Sequence, residues 1–79
     1  MGRFYYKKSS YPAAASRFKQ IAKDYPDTKF SQDALYYLSV TYIKLKDIDS
    51  ARQSLQELLK RYPDTKYKGD AKRLLAKYK

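Results

Sequence analysis

Seventy-nine residues make one small domain or a piece of a larger one, and a hydrophobic fraction of 43% with 16% aromatics excludes a disordered chain. The net charge of +10, from 18 Lys and Arg against 8 Asp and Glu, favours anionic partners such as acidic protein surfaces, anionic lipid or nucleic acid. Cys and His are both absent, which removes disulfides, thiol chemistry, the commonest metal ligand and the usual general base.

The segment Arg3-Phe4-Tyr5-Tyr6-Lys7-Lys8 reads as helix, over about 2–9, without a capping residue before it. The chain is therefore expected to begin inside a helix and to continue upstream in the natural protein. Ser10 is the expected cap of a second helix, over 11–24, with Pro12 in its first turn, where the missing N–H costs nothing. Tyr11, Ala14, Ala15, Phe18, Ile21, Ala22 and Tyr25 follow one helical face, and Pro26 ends it. Thr28 or Ser31 caps the central helix, over 29–45. Its apolar residues, from Phe30 through Leu35, Leu38 and Val40 to Leu45, cover nearly the whole circumference, so it is expected to be buried on more than one side. Lys46-Asp47-Ile48 forms a tight turn with Asp47 as the cap of a helix over 48–61. That helix buries Ala51, Leu55, Leu58, Leu59 and Tyr62, and the pairs Asp49–Arg52 and Glu57–Arg61 lie on its outer face. A last helix, over 66–77, carries Tyr67, Ala71, Leu74, Leu75 and Tyr78 on one side and Lys68, Lys72, Arg73 and Lys77 on the other.

One phrase occurs twice. Tyr25-Pro26-Asp27-Thr28-Lys29-Phe30 returns 37 residues later as Tyr62-Pro63-Asp64-Thr65-Lys66-Tyr67. Asp33, Ala34 and Leu38 recur at the same offset as Asp70, Ala71 and Leu75. A period of this size signals helix pairs that bury their apolar faces against neighbouring pairs.

Leu38-Ser39-x-x-Tyr42, then Ala51, Leu55, Leu58 and Pro63, resembles the tetratricopeptide repeat (TPR) pattern of Leu-Gly-x-x-Tyr, a small residue, spaced apolar residues and a closing Pro. Leu35 stands in place of the usual Trp, Ser39 of the Gly and Leu58 of a small Ala. The resemblance implies an all-α fold: an antiparallel helix-pair, right-handed solenoid segment of about two repeats, its first helix truncated. Within the family, Gly2-Arg3-Phe4-Tyr5-Tyr6-Lys7-Lys8, Tyr11-Pro12-Ala13-Ala14-Ala15-Ser16-Arg17-Phe18 and Asp33-Ala34-Leu35-Tyr36-Tyr37-Leu38 are similar to the C-terminal repeats of the BamD-type outer-membrane assembly lipoproteins. The last of these runs is similar to the Tol–Pal-associated coordinator family as well, and a generic or engineered TPR module is a third reading. The lipidated N-terminal Cys of the BamD type has no counterpart among these residues.

The resemblance implies that the first helix of each pair lines a concave groove. The positions that would face it are Arg3, Tyr6 and Lys7, then Asp33, Tyr36, Val40, Ile43 and Lys44, then Asp70, Arg73 and Lys77. They recur at i, i+3 and i+7 and share a face, and aromatic and Arg side chains are the usual anchors of interfaces. The competing reading is that Tyr36 and Ile43 only pack against the preceding repeat. Most of the ten tyrosines sit at core or helix-end spacing. Asp33 and Asp70 are repeat equivalents with no partner base, so neither catalysis nor a metal or other cofactor is expected. No nucleic-acid recognition motif is present.

The expected role is thus a periplasmic protein–protein scaffold associated indirectly with the outer membrane. Its partners by resemblance are BamA-like periplasmic domains or unfolded outer-membrane protein segments. Truncation of the first helix is expected to leave apolar surface near Phe4, Phe18 and Ile21 and to favour self-association.

Overall fold

A computed structural model of the chain describes residues 10–78. They form four helices, α1 (Tyr11–Asp24), α2 (Lys29–Lys44), α3 (Ile48–Arg61) and α4 (Lys68–Lys77), and no strand occurs among them. The expected helix over 2–9 lies outside the described residues.

Each boundary has a local cause. Ser10 sits at the N-cap position of α1 without a side-chain capping bond, and Pro12 occupies the first turn. Thr28, in extended backbone, is the cap of α2: its Oγ1 accepts from the Ser31 N–H at 3.2 Å and donates to the Tyr25 carbonyl at 2.6 Å. Ser31, the other candidate, is instead fully buried. At the end of α2, Lys46 turns into the left-handed region at φ 63°. Its N–H bonds the Ile43 carbonyl and the Asp47 N–H bonds that of Tyr42, both at 2.9 Å. This is the Schellman arrangement, which satisfies two carbonyls that the helix leaves open. Asp47 Oδ1 then accepts from the Ser50 N–H at 3.3 Å and starts α3.

The start of α4 differs from the expectation at Lys66. Thr65 is buried, its N–H bonds the Tyr62 carbonyl at 3.0 Å, and its own carbonyl accepts from the Lys68 N–H at 3.1 Å. Two successive turns therefore consume the residues up to Tyr67, and the helix begins at Lys68.

α2 is the middle layer, packed against α1 on one side and α3 on the other, with α4 against α3. The core is Ala22, Ala34, Leu35, Leu55, Leu58 and Ala71, joined at its edges by Phe18, Ile21, Tyr36, Leu59, Tyr62, Tyr67, Leu74 and Leu75. Ser39 and Ala51 are buried at the α2–α3 contact, where small side chains let helix axes approach. Inside a helix the Ser39 and Thr41 hydroxyls need acceptors, and they donate to the Tyr36 and Tyr37 carbonyls at 2.5 and 2.8 Å.

Two surface expectations are corrected. Phe18 and Ile21 are half-buried against the core rather than open, Phe18 because the Tyr37 ring covers it at 5.9 Å. The large hydrophobic side chains that are exposed are Tyr25, Phe30 and Tyr37. Phe4 lies outside the described residues. On α3, Glu57 pairs with Arg61 at 3.7 Å, but no Asp49–Arg52 pair forms among the described residues; the Arg52 Nε is buried without a hydrogen-bond partner.

Leu58 has no exposed surface, so Leu58→Ala is expected to lower the unfolding free energy by about 2–5 kcal/mol in urea titration. Lys46→Gly is expected to raise it by about 1 kcal/mol, because glycine adopts the left-handed conformation without the steric cost that a Cβ carries.

Candidate partner-binding groove

α2 presents Tyr36, Val40 and Ile43 along one stripe, spaced i, i+4 and i+7, all three half-buried. The turn before α4 brings a second set of side chains to the N-terminal end of this stripe. The Tyr67 ring stacks on that of Tyr36 with centroids 4.3 Å apart and planes 8° from parallel. Tyr37 meets both edge-on, at 5.7 and 6.4 Å. Offset stacking and edge-to-face contacts are the arrangements that the ring quadrupoles favour.

The polar groups are fixed to this aromatic cluster. The Tyr67 hydroxyl donates to Asp33 Oδ1 at 2.5 Å, and Lys66 Nζ lies 3.7 Å from the same oxygen. That ammonium also lies 5.2 Å from the Tyr67 ring centroid, in cation–π range. Arg73 reaches Asp70 at 3.8 Å one turn into α4. Burial pushes the Tyr67 phenol well above its ordinary range, and donation to the Asp33 carboxylate adds to the rise. The Tyr36 phenol is also raised, by burial first and then by the negative charge of Asp70, with Arg73 opposing. Asp70 and Arg73 thus act on the Tyr36 ring from across the joint between α2 and α4.

Of the positions read from sequence, Asp33, Tyr36, Asp70 and Arg73 converge here. Val40, Ile43 and the exposed Lys44 continue along α2 away from the cluster. Lys77 is exposed near the end of α4, its Nζ 5.4 Å over the ring of Tyr78. Arg3, Tyr6 and Lys7 lie outside the described residues. Tyr36 does pack, as the competing reading held, but against Tyr67 of the following unit. Tyr67, Tyr37 and Lys66 join this cluster and were not among the positions read from sequence, since Tyr67 reads as the first apolar residue of a helix. The signal that could have found it is the substitution within the repeated phrase: Phe30 becomes Tyr67, which adds one hydroxyl within reach of Asp33.

The cluster has the chemistry of recognition. It offers flat aromatic area, two carboxylates and two cations, and no group of three or more metal-ligating side chains occurs among the described residues. None of the described helices is long and apolar enough to cross a membrane.

Paired helices and small residues at the helix contacts are the marks of a helical repeat module. The tetratricopeptide repeat family model matches residues 5–78, and the chain belongs to that family. It is 37% identical over its whole length to the outer membrane protein assembly factor BamD of Rickettsia prowazekii (strain Madrid E), of which it spans 32%. No solved structure matches.

Tyr67→Phe removes the bond to Asp33 and leaves the ring stack in place. It is expected to lower stability by about 1 kcal/mol at neutral pH. A phenol whose pKa is higher folded than unfolded stabilises the fold fully below the unfolded value of 10.0. Above that pH the unfolded chain releases its proton first, and the contribution is lost as pH rises toward the folded pKa. Urea titrations from pH 9 to 11.5 are expected to show stability falling more steeply in the unmodified chain than in Tyr67→Phe.

Proposed function

We propose that the chain is a protein-binding part of a bacterial cell-envelope scaffold, a BamD-like component of outer-membrane β-barrel protein assembly. TPR repeats generally mediate protein–protein binding, and that coarser statement follows from the family. The finer reading is supported by the similarity to an outer-membrane assembly factor along the full length of the chain. The observation that carries it is the convergence of Tyr36, Tyr67, Asp33, Lys66, Asp70 and Arg73 where two repeats meet. Such a joint presents aromatic surface and paired charges of both signs, and electrostatic complementarity of this kind gives specificity and register.

In this proposal the groove holds a segment of a BamA-like periplasmic domain or of an unfolded outer-membrane protein. The protein works in the periplasm, beside the outer membrane, through binding and without turnover. Arg73 is the residue best suited to anchor the partner, because its side chain is 79% exposed and already oriented by Asp70.

Arg73→Glu therefore separates binding from folding. The expected result in a biosensor measurement against purified BamA-type periplasmic domains is affinity at least about tenfold weaker, equivalent to ~1.4 kcal/mol, with an unchanged melting temperature. Unaltered affinity for both those domains and an unfolded outer-membrane protein would overturn the assignment.

A further inference from the structure

A concavity lies on a different side of α2. Leu35, Leu38 and Tyr42, spaced i, i+3 and i+7, line its floor, and α1 and α3 form its banks. Its volume is about 570 Å³, within the ~300–1,000 Å³ typical of ligand clefts. The floor stripe is turned by well over a quarter of a circle from the Tyr36–Val40–Ile43 stripe at about 100° per residue, so the trough and the proposed groove lie on different faces of α2.

The banks differ in chemistry. α1 contributes Lys19 and Lys23, one turn apart, and α3 contributes Arg61 near its end. Glu57 is the carboxylate of the lining, and it is held by Arg61 at 3.7 Å. No carboxylate lies within salt-bridge distance of Lys19 or Lys23 among the described residues. The neighbouring Asp24 is engaged by the Gln20 amide at 2.8 and 2.9 Å. The α3 bank adds Ser50, Gln53 and Ser54, which offer hydrogen-bond donors and acceptors of the kind that a peptide backbone can use.

We infer that this trough is a docking site for an acidic peptide segment, separate from the proposed groove. One aliphatic side chain of the segment lies on the half-exposed Tyr42 above the buried Leu35 and Leu38, its carboxylates meet Lys19, Lys23 and Arg61, and its backbone pairs with the α3 hydroxyls and amide. Charge complementarity selects the occupant. Three cations against one engaged carboxylate exclude a basic ligand, and a net charge of +10 sets a second copy of the chain against itself. The apolar floor and the neutral polar bank favour a peptide over a nucleic acid, whose phosphates would use the cations and leave Tyr42 and the α3 hydroxyls idle.

The probe is a fluorescein-labelled peptide of about six residues, because the α3 bank from Ser50 to Arg61 is about 16 Å long and an extended chain covers that in about five residues; it carries two leucines among glutamates. Its anisotropy is read on titration with the whole chain at about 0.15 M salt. Binding is expected for this peptide and not for its lysine counterpart. It is expected to weaken at least about tenfold in the double variant Lys19→Glu, Lys23→Glu, and to weaken in Gln53→Trp, which fills the mouth from the opposite bank. All three positions are exposed, and circular dichroism checks that the variants fold. Arg73→Glu is expected to leave peptide binding unchanged, so failure here is distinguishable from failure of the groove reading. Absence of binding, indifference to both sets of variants, loss in Arg73→Glu, or displacement of the peptide by equimolar duplex DNA would each overturn the inference.

Discussion

α2 is flanked by helices on two sides, and that close approach rests on small side chains. Ala22, Ala34, Ser39, Ala51 and Ala71 are each at least nine-tenths buried. A larger group at any of them would force helices apart, because interiors packed at crystal-like density have no slack to absorb it. Leu55 and Leu58 then fill what the small residues leave. A helix gripped in this way leaves Tyr36, Val40 and Ile43 half-buried along one side, while Leu35 and Leu38 are buried and Tyr42 half-buried under the trough between α1 and α3. Both candidate surfaces are therefore consequences of how the central helix is held.

The repeated phrase shows how identical residues take different conformations when their surroundings differ. In the first copy Thr28 is extended and capping, and Asp27 adopts a left-handed φ of 63°. The strain at Asp27 is held by its N–H, which donates to the Tyr62 hydroxyl at 2.8 Å; that hydroxyl in turn donates to Ser31 Oγ at 2.9 Å. In the second copy Thr65 is buried in a turn, because Tyr67 is drawn onto Tyr36 and Asp33 of the preceding unit. Phe30, at the position equivalent to Tyr67, is 68% exposed and meets Tyr25 at 6.5 Å. The joint between units is thus made by several positions of the second phrase, Tyr62 on Asp27 and Ser31 and Lys66 and Tyr67 on Asp33, and the hydroxyl that Tyr67 adds relative to Phe30 is the anchoring difference between the copies.

Helix-forming segments were legible because their signals are local: Pro26 and Pro63, the caps Thr28 and Asp47, and apolar residues at helical spacing. The equivalence of Asp33 and Tyr36 with Asp70 and Arg73 on successive units was also legible, since a constant offset and a common face place them one repeat apart. What escaped was decided by tertiary contact. Tyr67 and Lys66 lie in a turn whose path depends on Asp33, 34 residues away in sequence from Tyr67. Phe18 looked open from its own helix and is covered by Tyr37 of the next. Arg52 looked like the partner of Asp49 because their spacing permits it, yet its Nε is buried. Spacing states which contacts are possible on an isolated helix, and packing chooses among them.

The excess of positive charge takes different forms on the two sides of α2. At the Tyr36 joint each cation has a carboxylate beside it, Lys66 with Asp33 and Arg73 with Asp70. Such pairs are weak stabilisers at an exposed surface, and their value lies in orienting a fork or an ammonium before a partner arrives, which reduces the ordering cost of binding. On the opposite side Lys19 and Lys23 stand without that restraint, and their effect on a ligand is long-range attraction that salt diminishes. In the proposed reading one surface sets register and the other captures, and an acidic segment drawn to the trough does not compete for the Tyr36 joint.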